Sequence, residues 1–124
     1  MLPATAIAAT PIKGRWITND GGAVVAIADC GNKICGRIER FLKPPVGPQV
    51  DAKNPDATLR TRPLLGLPLL TDLAADGDGW TGRIYDPRSG RTYRAVVTTA
   101  ADGKLRVKGC LSILCQTVVW TPTR

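Results

Sequence analysis

Two cysteine pairs with the same spacing constrain the fold of this chain more than any other feature. Cys30 and Cys35 lie in "DCGNKICG", and Cys110 and Cys115 lie in "GCLSILCQ". The repeated spacing predicts two cross-strand disulfides at hairpin ends, Cys30–Cys35 and Cys110–Cys115, and hence an oxidising compartment. A metal site is the weaker alternative, because zinc knuckles use shorter gaps and two hairpin tips would have to converge. We therefore predict no metal and no cofactor.

The strand register around these cysteines sorts the neighbouring side chains by polarity. If the two members of each pair lie opposite each other, the apolar residues fall mostly on one face, as a half-buried antiparallel pair requires. The apolar partners predicted in this way are Leu105 with Trp120, Val107 with Val118, and Ile27 with Ile38.

Two further hairpins keep the same face buried. The loop from Pro87 to Gly90 pairs Ile84 with Tyr93 and Trp80 with Val97. The loop from Ala101 to Gly103 aligns Val97 with Val107 and Thr99 with Leu105, and Gly103 takes the left-handed position. We expect about eight strands, near residues 14–18, 23–30, 34–42, 67–73, 80–85, 91–99, 104–110 and 114–121.

This pattern predicts an all-β fold, a single antiparallel up-and-down barrel that closes its own edges. One long loop, Pro44 to Leu65, follows the third strand and is rich in proline and polar residues. We assign residues 13–124 to the barrel domain and residues 1–12 to an N-terminal extension, the lead of a mature chain or a signal remnant.

Charge and composition narrow the classes of partner. The net charge of +7 is compatible with anionic partners such as phosphates, lipid headgroups or acidic glycans, but dispersed surface charge is the favoured explanation, because no basic run exceeds two residues. Nucleic acid is not expected, because no basic stripe exists and aromatic residues are sparse. No run of about 18 apolar residues is present, so no membrane span is predicted.

The complete absence of histidine removes Ser-His-Asp and Cys-His catalysis and every histidine-containing metal site. The carboxylates are few and lie mostly beside turn glycines, outside any recognisable enzyme motif. We predict no catalytic residue, and an enzyme acting on envelope polymers ranks third among the functions considered.

The chain resembles two groups of barrel proteins. "GRW" at the start of the first strand, with Arg124 after the last strand, is similar to the Gly-x-Trp of lipocalin-like (calycin) barrels. A closer resemblance, to the bacterial exported family of domain of unknown function 2147, covers nearly the whole chain after about residue 12. Its most specific segments are "DAKNPDATLRTRPLLG" and "GRIYDPRSGRTY". The resemblance implies a small, lipocalin-like periplasmic protein and carries no activity.

The long loop contains the polar candidates. Asp51 and Asn54 form turns, Asn54 before Pro55 suits a helix cap, and Arg60 and Arg62 bind Asp51 or chain carbonyls in the structural interpretation. In the functional interpretation, Arg60 and Arg62 form a fork for a carboxylate or phosphate at the barrel mouth.

The aromatic candidates are expected to face inward. Trp16, Trp80 and Tyr93 either fill the core or line a small ligand pocket. At a hairpin end, Tyr85 precedes Asp86, which we expect to cap the turn and to pair with Arg91.

We therefore expect a periplasmic barrel that binds a small, partly apolar or anionic ligand through Trp16, Arg60, Arg62, Trp80 and Tyr93. The alternative is an envelope interaction or structural protein with a filled interior, which acts through residues 44–65 or a homodimer surface. Under either function, we expect the chain to be a monomer or a homodimer.

Overall fold

Each strand of the barrel pairs with its neighbours in the sequence, and β1 pairs with β8 to close the ring. The computed structural model describes residues 9–123. The strands are β1 (Gly14–Ile17), β2 (Ala23–Cys30), β3 (Lys33–Phe41), β4 (Pro68–Asp76), β5 (Gly79–Asp86), β6 (Arg91–Thr99), β7 (Leu105–Leu111) and β8 (Leu114–Thr123). The up-and-down barrel and its long loop are confirmed. Among the described residues, no helix has the length and hydropathy needed to cross a membrane.

The predicted registers of β5 to β8 are confirmed. Trp80 lies opposite Val97 and Ile84 opposite Tyr93, while Leu105 lies opposite Thr99 on one side and Trp120 on the other. Gly103 has a φ of 81°, which the short β6–β7 loop requires. Cys110 lies directly opposite Cys115, and the two are joined by a disulfide.

The predicted register of β2 and β3 is wrong by two residues. Ile27 lies opposite Gly36, not Ile38, and Cys30 lies opposite Lys33. The reason is the two-residue turn at Gly31 and Asn32, in which Gly31 has a φ of 67°. The Cys30–Cys35 disulfide forms nevertheless, as a diagonal link with 5.6 Å between its Cα atoms. Because the shift is even, the inner face is unchanged.

The inside of the barrel is filled by apolar side chains from every strand and from both closing segments. Trp16 and Trp120 are buried among them, as expected, and Trp80 packs against them half-buried. The interior residues are Ile12, Trp16, Ala23, Val25, Ile27, Ile34, Ile38, Leu64, Leu67, Leu69, Leu70, Leu73, Ala95, Val97, Leu105, Val107 and Trp120.

Because the strands alternate in direction, their connections collect at two ends. One end carries the β2–β3, β4–β5 and β6–β7 turns and the chain before β1; we call it the plug end. The other carries the β1–β2, β5–β6 and β7–β8 turns and the long β3–β4 connection; we call it the loop end.

A short segment before β1, residues 9–12, covers the plug end. Ile12 is only 1% exposed and belongs to the core, and its carbonyl accepts a hydrogen bond from Trp16 Nε1 at 2.9 Å. Trp80 Nε1 donates to the Thr10 carbonyl at 2.8 Å, and the Thr10 amide donates to the Asp78 carbonyl at 3.3 Å. These four residues therefore pack onto the barrel, while residues 1–8 of the expected extension, and Arg124, lie outside the described residues.

Candidate functional site

The two segments that carry the family resemblance meet at the loop end. The Asp51 carboxylate is fully buried and accepts three hydrogen bonds, from Tyr85 Oη at 2.6 Å, Asn54 Nδ2 at 2.8 Å and Arg62 Nε at 2.9 Å. The Arg62 guanidinium also lies over the Tyr85 ring, 5.7 Å from its centroid. We call these four residues the loop junction. They fix the long loop to the C-terminal end of strand β5, where Tyr85 lies.

Backbone contacts place Asp51 for this role. Val50 and Pro63 form an isolated antiparallel bridge, and the Asp51 amide donates to the Arg62 carbonyl at 2.9 Å. The loop thus folds back on itself as a short ribbon, and the side chains at its two ends converge on one carboxylate. The structural interpretation offered Asp51 or chain carbonyls as partners of the two arginines; in the structure, Arg62 binds Asp51.

A 3-10 turn at Ala57–Leu59 follows Pro55, but its cap is not Asn54, which the sequence suggested for this role. The cap is Asp56, whose carboxylate accepts from the Thr58 amide at 3.0 Å. Asn54 instead bridges two parts of the loop: its Oδ1 accepts from the Asp56 amide, and its carbonyl accepts from Arg60 Nε at 2.7 Å. Because both polar atoms of the Asn54 side chain are engaged in this way, with Asp51 and with the Asp56 amide, the capping role is left to Asp56.

The loop also makes a close backbone contact with the β5–β6 turn. A Cβ added at Gly90 would overlap the Lys53 carbonyl, and Gly90 has a φ of 74°. A side chain at this position would push the loop away from the turn, so a glycine is required there.

The environment of the junction shifts two pKa values in opposite directions. Burial raises the pKa of Asp51, but the hydrogen bonds from Tyr85, Asn54 and Arg62 outweigh burial and leave it below its usual range. Burial first, and then the hydrogen bond to Asp51, raise the pKa of Tyr85 to about 12. At neutral pH the junction is therefore a charged carboxylate held by neutral and cationic donors.

A second set of contacts ties the turns of the loop end together. Asp86 caps its turn as predicted, accepting from the Arg88 amide at 2.9 Å and from Ser89 Oγ at 3.2 Å. Asp86 and Arg91 are cross-strand partners, as expected, but within residues 9–123 their side chains form no ion pair. Arg88 instead forms an ion pair with Asp20 of the β1–β2 turn.

The five predicted ligand-binding residues are not brought together. The indole N–H groups of Trp16 and Trp80 are bonded to the segment before β1 at the plug end, whereas Tyr93 lies opposite Ile84 near the loop end. Arg60 and Arg62 use their Nε atoms within the long loop. Their roles as ligand contacts stay predictions.

The depressions found on the protein are shallow and open to solvent. One, of about 410 Å³, is lined by Gly14, Arg15, Ala26, Ile27 and Thr123. Another, of about 190 Å³, is lined by Gly82, Arg83, Thr92, Tyr93 and Arg94. Neither occupies the barrel axis, where apolar side chains fill the space. In residues 9–123, no group of three or more acidic or thiol side chains is placed to hold a metal ion.

Sequence reasoning missed the closing role of Ile12 and the contact of Gly90 with Lys53. A signal for Ile12 existed, since an isolated apolar residue just before the first strand can cover a barrel end. No pattern identified the partner of Gly90, because that contact joins residues 37 positions apart.

The geometry defines a class, the lipocalin-like β-barrel. A solved structure described as "Protein HP1028 from the human pathogen Helicobacter pylori belongs to the lipocalin family" is similar over 92% of this chain and 84% of that chain, with a TM-score of 0.81 and 20% identity. The chain itself belongs to a family described as "Uncharacterized protein conserved in bacteria (DUF2147)", whose model matches residues 14–122. No curated protein matches this chain.

The fold and the family bear on two properties of the protein, its capacity to bind ligands and its export. A lipocalin-like barrel is compatible with the binding of small ligands. Membership of a bacterial family and two disulfides are compatible with an exported protein.

Proposed function

We propose that this protein is a periplasmic barrel that binds its partner through its outer surface and the loop end, and not within its interior. The observation that carries the proposal is the filled barrel axis, in which Leu70, Leu73, Val97 and Leu105 are fully buried. A small-molecule site of the usual kind needs about 300 Å³ or more of enclosed space.

Both ends of the barrel support the same interpretation. Ile12 and the Trp16 indole occupy the plug end, and the junction around Asp51 holds the long loop at the other end. The indole N–H groups at the plug end and the Asp51 carboxylate at the loop end already have partners within the chain. Binding in the interior would require several of these bonds to break.

The periplasm is the compartment that best accommodates the chemistry. Both disulfides close loops of a few residues and persist only where thiols are oxidised. The bacterial family then points to the space between the two membranes as the oxidising compartment.

Native mass spectrometry of the protein recovered from a bacterial periplasm tests the proposal. We expect the mass of the bare polypeptide with two disulfides, and cross-linking in intact cells should attach partners to outward residues such as Arg94. A stoichiometric small-molecule adduct that is lost when Trp16 is replaced would overturn the proposal.

One observation favours a second candidate, a small apolar ligand at the plug end. The N–H groups of Trp16 and Trp80 are bonded to carbonyls of the same short segment, so displacing residues 9–12 would free both. Titration of the protein with a lipophilic probe should then change the tryptophan emission, and removal of residues 1–12 should strengthen probe binding.

A further inference from the structure

The β7–β8 hairpin exposes an unusual apolar tip. Leu111, Ile113 and Leu114 are 50%, 92% and 75% exposed, and Ser112 is the only polar residue between them. We call residues 111–114 the apolar tip. Exposed leucines and isoleucines concentrated at one hairpin end indicate a surface that is covered by something else in use.

The hairpin holds this tip away from the rest of the barrel. The Cys110–Cys115 disulfide lies directly beneath it. On the other side of β8, pairing with β1 is confined to Thr121–Thr123. The tip is thus rigid and open, so little conformational entropy is lost when it inserts into a partner.

Cations without acidic partners lie on the wall beneath the tip. Arg94 lies opposite Cys110 and next to Arg83, and Lys108 lies two residues before the disulfide. We call Arg83, Arg94, Arg106 and Lys108 the basic wall. All four are exposed, and none forms an ion pair within the part of the chain that the structure describes.

The opposite wall differs in this respect. There, Lys13 pairs with Asp29 and Arg15 pairs with Glu39. On the basic wall, Arg83 and Arg94 lie directly opposite each other, which is unfavourable for like charges unless an anion lies between or above them. A depression of about 190 Å³ is lined by these two arginines and can admit such a group.

We propose that the apolar tip and the basic wall together dock on the surface of a bilayer that contains anionic phospholipid. At about 3.3 Å per residue, Lys108 lies about 7 Å below the disulfide, and the tip rises a similar distance above it. This spacing matches the depth of about 5–10 Å to which interfacial segments enter a membrane, with cations at the level of the phosphates. The proposal rests on the proposed function, because it names the partner of the outer surface.

A second copy of the chain fits the surface less well. Contact between two tips would bring two basic walls towards each other, and each chain carries a net charge of +7. An anionic bilayer removes that repulsion by charge complementarity. The unpaired edge of β8 below the tip would remain in water, where its backbone groups can be hydrated.

Flotation with phospholipid vesicles tests the proposal. We expect the protein to float with vesicles of phosphatidylcholine and phosphatidylglycerol at low salt, and to float with phosphatidylcholine alone only weakly. Binding by the double variant R94Q/K108Q should fall by about thirtyfold, since each cation near the surface contributes about a fivefold factor and the two factors multiply. The matched variant K33Q/R40Q has the same net charge and should bind as the wild type does.

A depth probe keeps the test independent of those charge variants. I113W should show blue-shifted emission with anionic vesicles, whereas V46W, at an equally exposed site in the long loop, should not. Equal binding to neutral vesicles, no binding to anionic ones, or a dimer that buries the tip would each overturn this inference. Cross-linking to an envelope protein without vesicle binding would overturn it and leave the proposed function standing.

Discussion

The two ends of the barrel are closed by different interactions, apolar packing at the plug end and a hydrogen-bonded, buried carboxylate at the loop end. At the plug end, Ile12 is buried against Trp16, and the hydrogen bonds that join residues 9–12 to the barrel are made between neutral groups. At the loop end, a buried carboxylate, Asp51, gathers a phenol, an amide and a guanidinium. The apolar closure depends on packing and tolerates any pH, whereas the polar closure depends on the protonation state of its members. The stability of the two ends should therefore respond differently to pH, although both belong to one small barrel.

The largest expected effect comes from removing the centre of the polar closure. Asp51→Ala leaves Tyr85 and Asn54 without their acceptor and should lower the free energy of unfolding by about 3–5 kcal/mol. Urea denaturation at neutral pH measures this. Asp76→Ala, at an exposed carboxylate, is the matched control, and equal losses in the two variants would show that the junction does not hold the loop.

The next effect belongs to the apolar closure. Ile12→Ala should cost about 2–3 kcal/mol, near the low end for such a truncation because a terminal segment can relax around the cavity. The tryptophan emission should move to the red as Trp16 and Trp80 become more accessible. Val46→Ala, in the exposed part of the loop, should change neither quantity. A loss at Ile12 that depends on pH would contradict the distinction between the two ends.

Tyr85→Phe should cost about 1.5–2 kcal/mol, the value of a hydrogen bond to a charged group. The folded pKa of Tyr85 is raised to about 12, so its contribution is complete below about pH 10, the unfolded value, and is lost as pH rises towards 12. The alkaline loss of stability should therefore disappear in Tyr85→Phe and persist in the control Tyr93→Phe. Thermal unfolding across alkaline pH measures it.

The acid side tests the same closure from the opposite direction. The folded pKa of Asp51 is lowered, so the junction is fully stabilising above the unfolded carboxyl value of about 3.9 and loses that stabilisation as pH falls through the folded value. We expect stability to fall with acid in the wild type and to fall less in Asp51→Asn. A parallel fall in both would place the acid-sensitive group elsewhere.

The smallest expected effect lies at the plug end. Trp80→Phe removes the hydrogen bond to the Thr10 carbonyl from a half-exposed indole and should cost about 0.5–1.5 kcal/mol. Equilibrium unfolding, with the emission of Trp16 and Trp120 as the probe, measures it. A cost above that of Ile12→Ala would mean that hydrogen bonding, and not packing, closes this end.

The sequence by itself determined the barrel, because alternation of side chains has a period of two and each hairpin had to bury the same face. It also determined both disulfides, since five residues of separation can be spanned across adjacent strands. It failed at Gly31, where turn chemistry moved the register of β2 and β3 by two residues without changing which face is buried.

Only the tertiary structure decided which groups form a site. The pairing of Asp51 with Tyr85 joins residues 34 positions apart, and neither periodicity nor spacing carries information over that distance. The same holds for the separation of Trp80 from the long loop and for the isolation of the apolar tip. The strands are set by local rules of alternation and turn geometry, whereas contacts between distant side chains arise only once the barrel has closed.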